Sequence, residues 1–208
     1  MYITNFNVLY HELFHLSSNF FDKKKLHIYS GFNFVYIEEN IGAGITEGYT
    51  QLLTERYFEP GLSYAYEIEK NIAKTIEKLI GKDKMEKYYF NHDLKNLIQD
   101  LSLYETENNV INFLYLFDEL ASNDITYPYF YKDHSKIMYP IIFPGGDQKK
   151  FLDALPKIYQ FLFSCIKNKL KVIKKEVSYN EYLSALKFFL EDIKCNMELN
   201  VNDGKKAF

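Results

Sequence analysis

Two histidines and a glutamate in the run His11-Glu12-Leu13-Phe14-His15 match the pattern H-E-x-x-H. Residues four apart on a helix share a face, so His11 and His15 can offer two imidazole nitrogens to a single zinc ion. Glu12, one position along, stands where a carboxylate can take a proton from water activated by that ion. The chemistry in view is metal-assisted hydrolysis. It requires a third protein ligand, an open coordination position and a helix to carry the pair.

A histidine extension of the motif does not supply the third ligand. The form H-E-x-x-H-x-x-G-x-x-H needs glycine and histidine where this chain has Ser18 and Phe21. The best candidate is Glu47, 32 residues after His15 in the run Thr46-Glu47-Gly48-Tyr49-Thr50. That separation lets the chain reverse and lay a second helix beside the first. Gly48 would let this helix approach the first closely, and Thr46 and Thr50 can hydrogen-bond nearby groups so as to fix the rotamer of the carboxylate. A solvated acid on an amphipathic helix is the plainer alternative, and Glu38, Glu39, Glu55 and Glu59 are rivals for the ligand role.

Amide hydrolysis also needs a group to stabilise the oxyanion, commonly a tyrosine or histidine from further along the chain. Tyr131, His134 and Tyr139 in an aromatic stretch are candidates, with His92 behind them. For each, packing is the plainer role. Arg56, the one arginine in the chain, could anchor a substrate carboxylate. It lies nine residues beyond Glu47, however, on nearly the opposite helix face, which favours a structural salt bridge.

Apolar periodicity and cap residues supply the elements that must hold these groups. Phe6, Leu9, Leu13 and Phe14 predict a helix over about 4–18, capped by Thr4 or Asn5. A polar, turn-like stretch follows at 19–25. The segments Leu26 to Tyr29 and Phe32 to Ile37, on either side of Ser30-Gly31, predict a short hairpin or two extended pieces. A second helix is expected over Ile45 to Phe58, and a third, capped by Ser63, carries Ile68, Ile72, Ile76 and Leu79 up to Gly81. Further helices are expected over 82–90, 93–103 and 105–121. An aromatic loop rich in Pro and Gly spans Tyr127 to Asp147, and helices over Gln148 to Lys175 and Ser178 to Met197 close the chain, Pro156 kinking the first or splitting off its opening turn. The tail from Asn200 to Phe208 reads as frayed.

The expected fold is therefore mainly α, with a small β element between the two ligand-bearing helices. Residues 1–103 form its metal-binding core and 104–208 a helical C-terminal part packed as the same domain. A net charge of -3 gives no basic field for nucleic acid. No uncharged apolar run reaches membrane-spanning length, and the N-terminus lacks a basic region ahead of its first apolar stretch. With Cys165 and Cys195 reading as buried thiols, the chain reads as cytoplasmic, without membrane partners, and nothing in the pattern specifies an oligomeric state.

His11-Glu12-Leu13-Phe14-His15, followed by the segment from Gly44 to Glu55, resembles the gluzincins, zinc peptidases with a glutamate on a second helix. It is similar, more closely, to uncharacterised H-E-x-x-H proteins of low-GC bacteria and their mobile elements, which carry an N-E-G-x-T-like segment. The likeness covers about residues 5–60. It implies a zincin-like core in which His11, His15 and Glu47 bind zinc and Glu12 is the catalytic base, acting on a peptide or protein. Gluzincins carry a substantial N-terminal lobe before the motif helix, and ten residues precede His11 here, which implies a differently built or shortened cleft. A catalytically weak, zinc-stabilised regulatory or interaction protein is the alternative expectation.

Overall fold

Apolar residues recur at helical spacing along most of the chain, and the architecture follows them. The computed structural model describes residues 6–23, 27–36, 39–58, 66–123 and 147–176. Helix α1 (Phe6–Ser17) is followed by strands β1 (Asn19–Asp22), β2 (His27–Ser30), β3 (Phe34–Tyr36) and β4 (Glu39–Ile41). Six more helices follow: α2 (Ala43–Phe58), α3 (Glu67–Ile80), α4 (Lys82–Phe90), α5 (Leu94–Leu101), α6 (Glu107–Ser122) and α7 (Gln148–Glu176). The fold is mainly helical, as the periodicity predicts. Asp93 and Thr106, inside the helices expected there, act instead as N-caps, their side chains accepting from Asn96 N and Asn109 N. Helix α7 runs unbroken through Pro156. None of the described helices is long and apolar enough to cross a membrane. The expected aromatic loop (apart from Asp147), the helix over Ser178 to Met197, the tail, and the caps Thr4, Asn5 and Ser63 lie outside the described residues.

The β element follows the second expectation, two extended pieces, and not the single hairpin. The two segments around Ser30-Gly31 do not pair with each other. Instead β1 pairs antiparallel with β2, Asn19 opposite Ser30, and β3 pairs antiparallel with β4, Phe34 opposite Ile41. The stretch read as a polar turn contains Phe20 and Phe21, which favour a strand. Gly31, at φ 56°, turns the chain between two hairpins rather than inside one, and its amide is tied to Ser18 at the end of α1.

Helix α2 lies at the centre and is buried around most of its circumference. Its Ile45, Tyr49 and Leu53 join one apolar core with Ile72 and Ile76 of α3, Phe113 and Phe117 of α6, and Ile158 and Leu162 of α7. Burying each such side chain stabilises the fold by roughly 1.5–3 kcal/mol. Two glycines allow α2 to approach its neighbours backbone to backbone. A Cβ at Gly44 would lie 2.6 Å from the Phe117 carbonyl oxygen, and one at Gly48 would lie 2.3 Å from that of Glu69. Gly48 therefore serves the contact with α3, not the approach to α1 expected of it. Gly48→Ala should destabilise the protein by about 1–3 kcal/mol, because the obstacle is backbone and cannot rotate away. Thermal unfolding followed by circular dichroism reads this, and an unchanged midpoint would mean the two helices part at no cost.

Asp118 of α6 anchors the start of α2 by accepting hydrogen bonds from Gly42 N (2.8 Å) and Gly44 N (2.7 Å). A carboxylate at these unpaired amides satisfies the helix N-terminus. Burial nevertheless pushes its carboxyl up to about 6, against the pull of the amides. The clamp sets the position of the first turn of α2, and Glu47 follows directly in the next.

Candidate metal centre

Helix α1 is seated by its aromatic side chains. Tyr10 stacks on Phe58 of α2 with ring centroids 4.2 Å apart, and Phe14 meets the same ring edge-on at 5.6 Å. That seating turns the His11–His15 face toward the start of α2. The two Nε2 atoms lie 3.0 Å apart, and Glu47 Oε2 is 3.2 Å from that of His11 and 3.3 Å from that of His15. These three side chains form a group that could hold a metal ion.

The outer nitrogens define the polarity of the group. His11 Nδ1 is 3.3 Å from Gln51 Oε1, an acceptor, so it carries the hydrogen and donates. Ser30 Oγ donates to the His15 carbonyl at 3.1 Å and is left to accept from His15 Nδ1, also at 3.1 Å. With both rings protonated at Nδ1, both Nε2 lone pairs and a carboxylate oxygen face one point. Three acceptors within 3.3 Å of one another repel unless a cation stands between them. Ligand atoms in tetrahedral array around zinc, at bonds of about 2.0–2.1 Å, are about 3.3 Å apart, so this triangle fits such an ion with one position left open. The donor set of two imidazoles and a carboxylate suits zinc by its chemistry as well.

His11 is buried, while His15 and Glu47 are half-buried. Burial opposes the charge on Glu47; when the inner nitrogens of His11 and His15 carry protons instead, their hydrogen bonds and attraction outweigh burial and draw the carboxyl down to about 2. Glu12, on the next position round α1, is exposed to solvent beside the group.

Thr46 and Thr50 do other work than the orientation of Glu47 expected of them. Thr46 Oγ1 donates to Gly42 O at 2.7 Å and accepts from Phe32 N at 3.0 Å, fastening α2 to the turn before β3. The Thr50 hydroxyl pairs with Tyr89 OH of α4 at 2.6 Å. Both side chains project from α2 away from the edge that carries Glu47, which is why neither meets the ligands. Among the described residues, those that do are Gln51, Ser30 and Tyr66. Gln51 follows Glu47 by one helical turn, a spacing that could have revealed it. Ser30 and Tyr66 arrive through tertiary structure alone.

Tyr66, in the left-handed region at φ 58°, precedes α3. Its ring stacks on His11 with centroids 5.4 Å apart and 13° between planes. Its phenol hydrogen-bonds Glu47; burial first, then the charges of Glu47, Glu69 and Glu12, raise its pKa and keep it a neutral donor.

Of the other candidates, His92 Nδ1 donates to Gly31 O at 3.3 Å, not to any of the three ligands, and burial lowers its pKa; it backs the turn that carries Ser30. Arg56 forms the expected salt bridge, to Glu77 and Glu86. Glu55 lies behind Gln51, and Glu39 falls in β4. Tyr131, His134, Tyr139, Glu38 and Glu59 lie outside the described residues. Cys165 is buried in α7, and Cys195 lies outside the described residues. No family model matches the chain, and the searches of curated proteins and of solved structures find no match either.

Proposed function

We propose that this chain is a zinc-dependent hydrolase of peptide bonds, with His11, His15 and Glu47 as metal ligands and Glu12 as general base. The reading rests on one observation above the others: two Nε2 lone pairs and a carboxylate oxygen converge within 3.3 Å while Glu12 stands exposed alongside. Zinc in such a site supplies Lewis acidity toward a carbonyl and makes water a competent nucleophile near neutral pH. Glu12 takes a proton from the attacking water and delivers it to the leaving amine. Tyr66, a neutral phenol beside Glu47, is the candidate donor to the oxygen on which negative charge develops. The half-exposed edge formed by His15 and Glu47 is the side from which a peptide or protein would enter.

A second reading, a zinc-stabilised interaction protein, draws on a different feature of α1. Leu9, Leu13 and Leu16 form a stripe on its outer face and are 52%, 43% and 64% exposed. Contiguous exposed apolar surface marks contact sites for other molecules. Elemental analysis of the purified protein together with a broad peptide library separates the two. Hydrolysis expects one zinc per chain and cleavage that stops on chelation and returns with zinc. Bound zinc without cleavage of any peptide would favour the second reading, and a protein that binds no zinc would overturn both.

A further inference from the structure

We infer that Glu55 is a positioning residue that acts through Gln51 to hold His11 in the form able to bind a metal. The inference rests on the metal reading of the site proposed above. The side-chain amide of Gln51 can point either way in isolation, with its oxygen or its nitrogen toward His11. Glu55 removes the choice. Its carboxylate, which can only accept, lies 3.1 Å from Gln51 Nε2, so the amide nitrogen must face Glu55. The amide oxygen is thereby left facing His11 Nδ1 at 3.3 Å, and that nitrogen must carry the hydrogen. Its Nε2 lone pair is then free, aimed at Glu47 and His15.

Lys70 of α3 completes the arrangement. Its Nζ donates to the same Glu55 oxygen at 2.8 Å, with the two side chains 11% and 27% exposed. The ammonium pairs with the carboxylate, and an ionised carboxylate is purely an acceptor. Order therefore runs outward to inward: Lys70 holds the Glu55 carboxylate in place, Glu55 fixes the direction of the Gln51 amide, and Gln51 fixes the hydrogen on His11. Gln51 is buried, so water does not substitute for either bond. Outer partners of this kind commonly account for 10- to 100-fold in metal affinity.

The test compares Glu55→Gln with Glu55→Asp in the full chain. A glutamine at 55 can accept as well as donate, so the amide of Gln51 is freed to reverse. An aspartate keeps the acceptor character and reports on the shape change alone. Zinc affinity, measured by competition with a chromophoric chelator, should fall about 10- to 100-fold in Glu55→Gln and substantially less in Glu55→Asp. Nitrogen-15 spectra of the metal-free protein, taken well above the ordinary imidazole pKa, should show His11 Nδ1 protonated in the wild type. In Glu55→Gln a population protonated at Nε2 should appear. A merely structural role for Glu55 would leave that tautomer unmoved. Wild-type zinc affinity together with an unmoved tautomer in Glu55→Gln would overturn the inference. A tautomer that moves in a protein binding no zinc would uphold the control of His11 by Glu55 while removing the metal reading.

Discussion

Glu12→Gln is expected to bind zinc as tightly as the wild type while hydrolysing peptides about 10²- to 10⁴-fold more slowly. The substitution is nearly isosteric, and Glu12 is exposed on α1 rather than part of the converging triangle. Metal affinity should thus be spared. What is lost is the capacity to take up a proton, which an amide lacks at any accessible pH. Single-turnover cleavage of a good library substrate, with zinc content measured on the same sample, reads both halves of the expectation. Near-wild-type cleavage by Glu12→Gln would remove Glu12 from the reaction. Parallel loss of zinc and activity would show instead that the side chain supports the metal.

Glu47→Ala should have the opposite profile, weakening zinc binding on the order of a thousandfold or more, since it removes one of three ligands and the only anionic one. Two imidazoles 3.0 Å apart remain, a pair with little selectivity for zinc. A ligand that binds the folded state at a hundred times its Kd stabilises it by about 2.7 kcal/mol. Added zinc should therefore raise the melting temperature of the wild type and leave that of Glu47→Ala where it was. The wild type should itself lose the ion as pH falls, because protons compete for the imidazoles and the carboxylate. Equal zinc-induced shifts in the two proteins would exclude Glu47 as a ligand.

How much of this was legible in the sequence depends on whether a feature is local. The helix carrying His11 and His15, and a second one carrying Glu47, follow from spacing, because a face of a helix is fixed by residues a few positions apart. Spacing also separates neighbours. Gly48 stands about 100° around α2 from Glu47, so a helix that turns Glu47 toward α1 turns Gly48 elsewhere, and it meets Glu69 of α3. The same geometry puts Gln51, a full turn on, next to the ligand it follows, while Thr46 and Thr50 face the β3 turn and α4. Strand pairing was not legible in this way. Whether His27 to Ser30 pairs forward or backward goes with Gly31, Ser18 and the burial of Phe32, none of which is a property of the strands. Tyr66 carries no periodic signal at all; its place beside His11 comes from how α3 meets α2.

The tight seating of α2 between α3 and α6 has a consequence for the candidate metal site. In a small metal-nucleated module the ion gathers the chain around itself. Here the place of Glu47 depends on Gly44 and Gly48 lying against backbone from two other helices and on the grip of Asp118 at the start of α2. An ion would thus sit in a cradle whose shape is held by distant parts of the polypeptide. Its occupancy would then act as a gauge of whether those parts have come together, and lesions far from the histidines would register first as vacancy at the cradle.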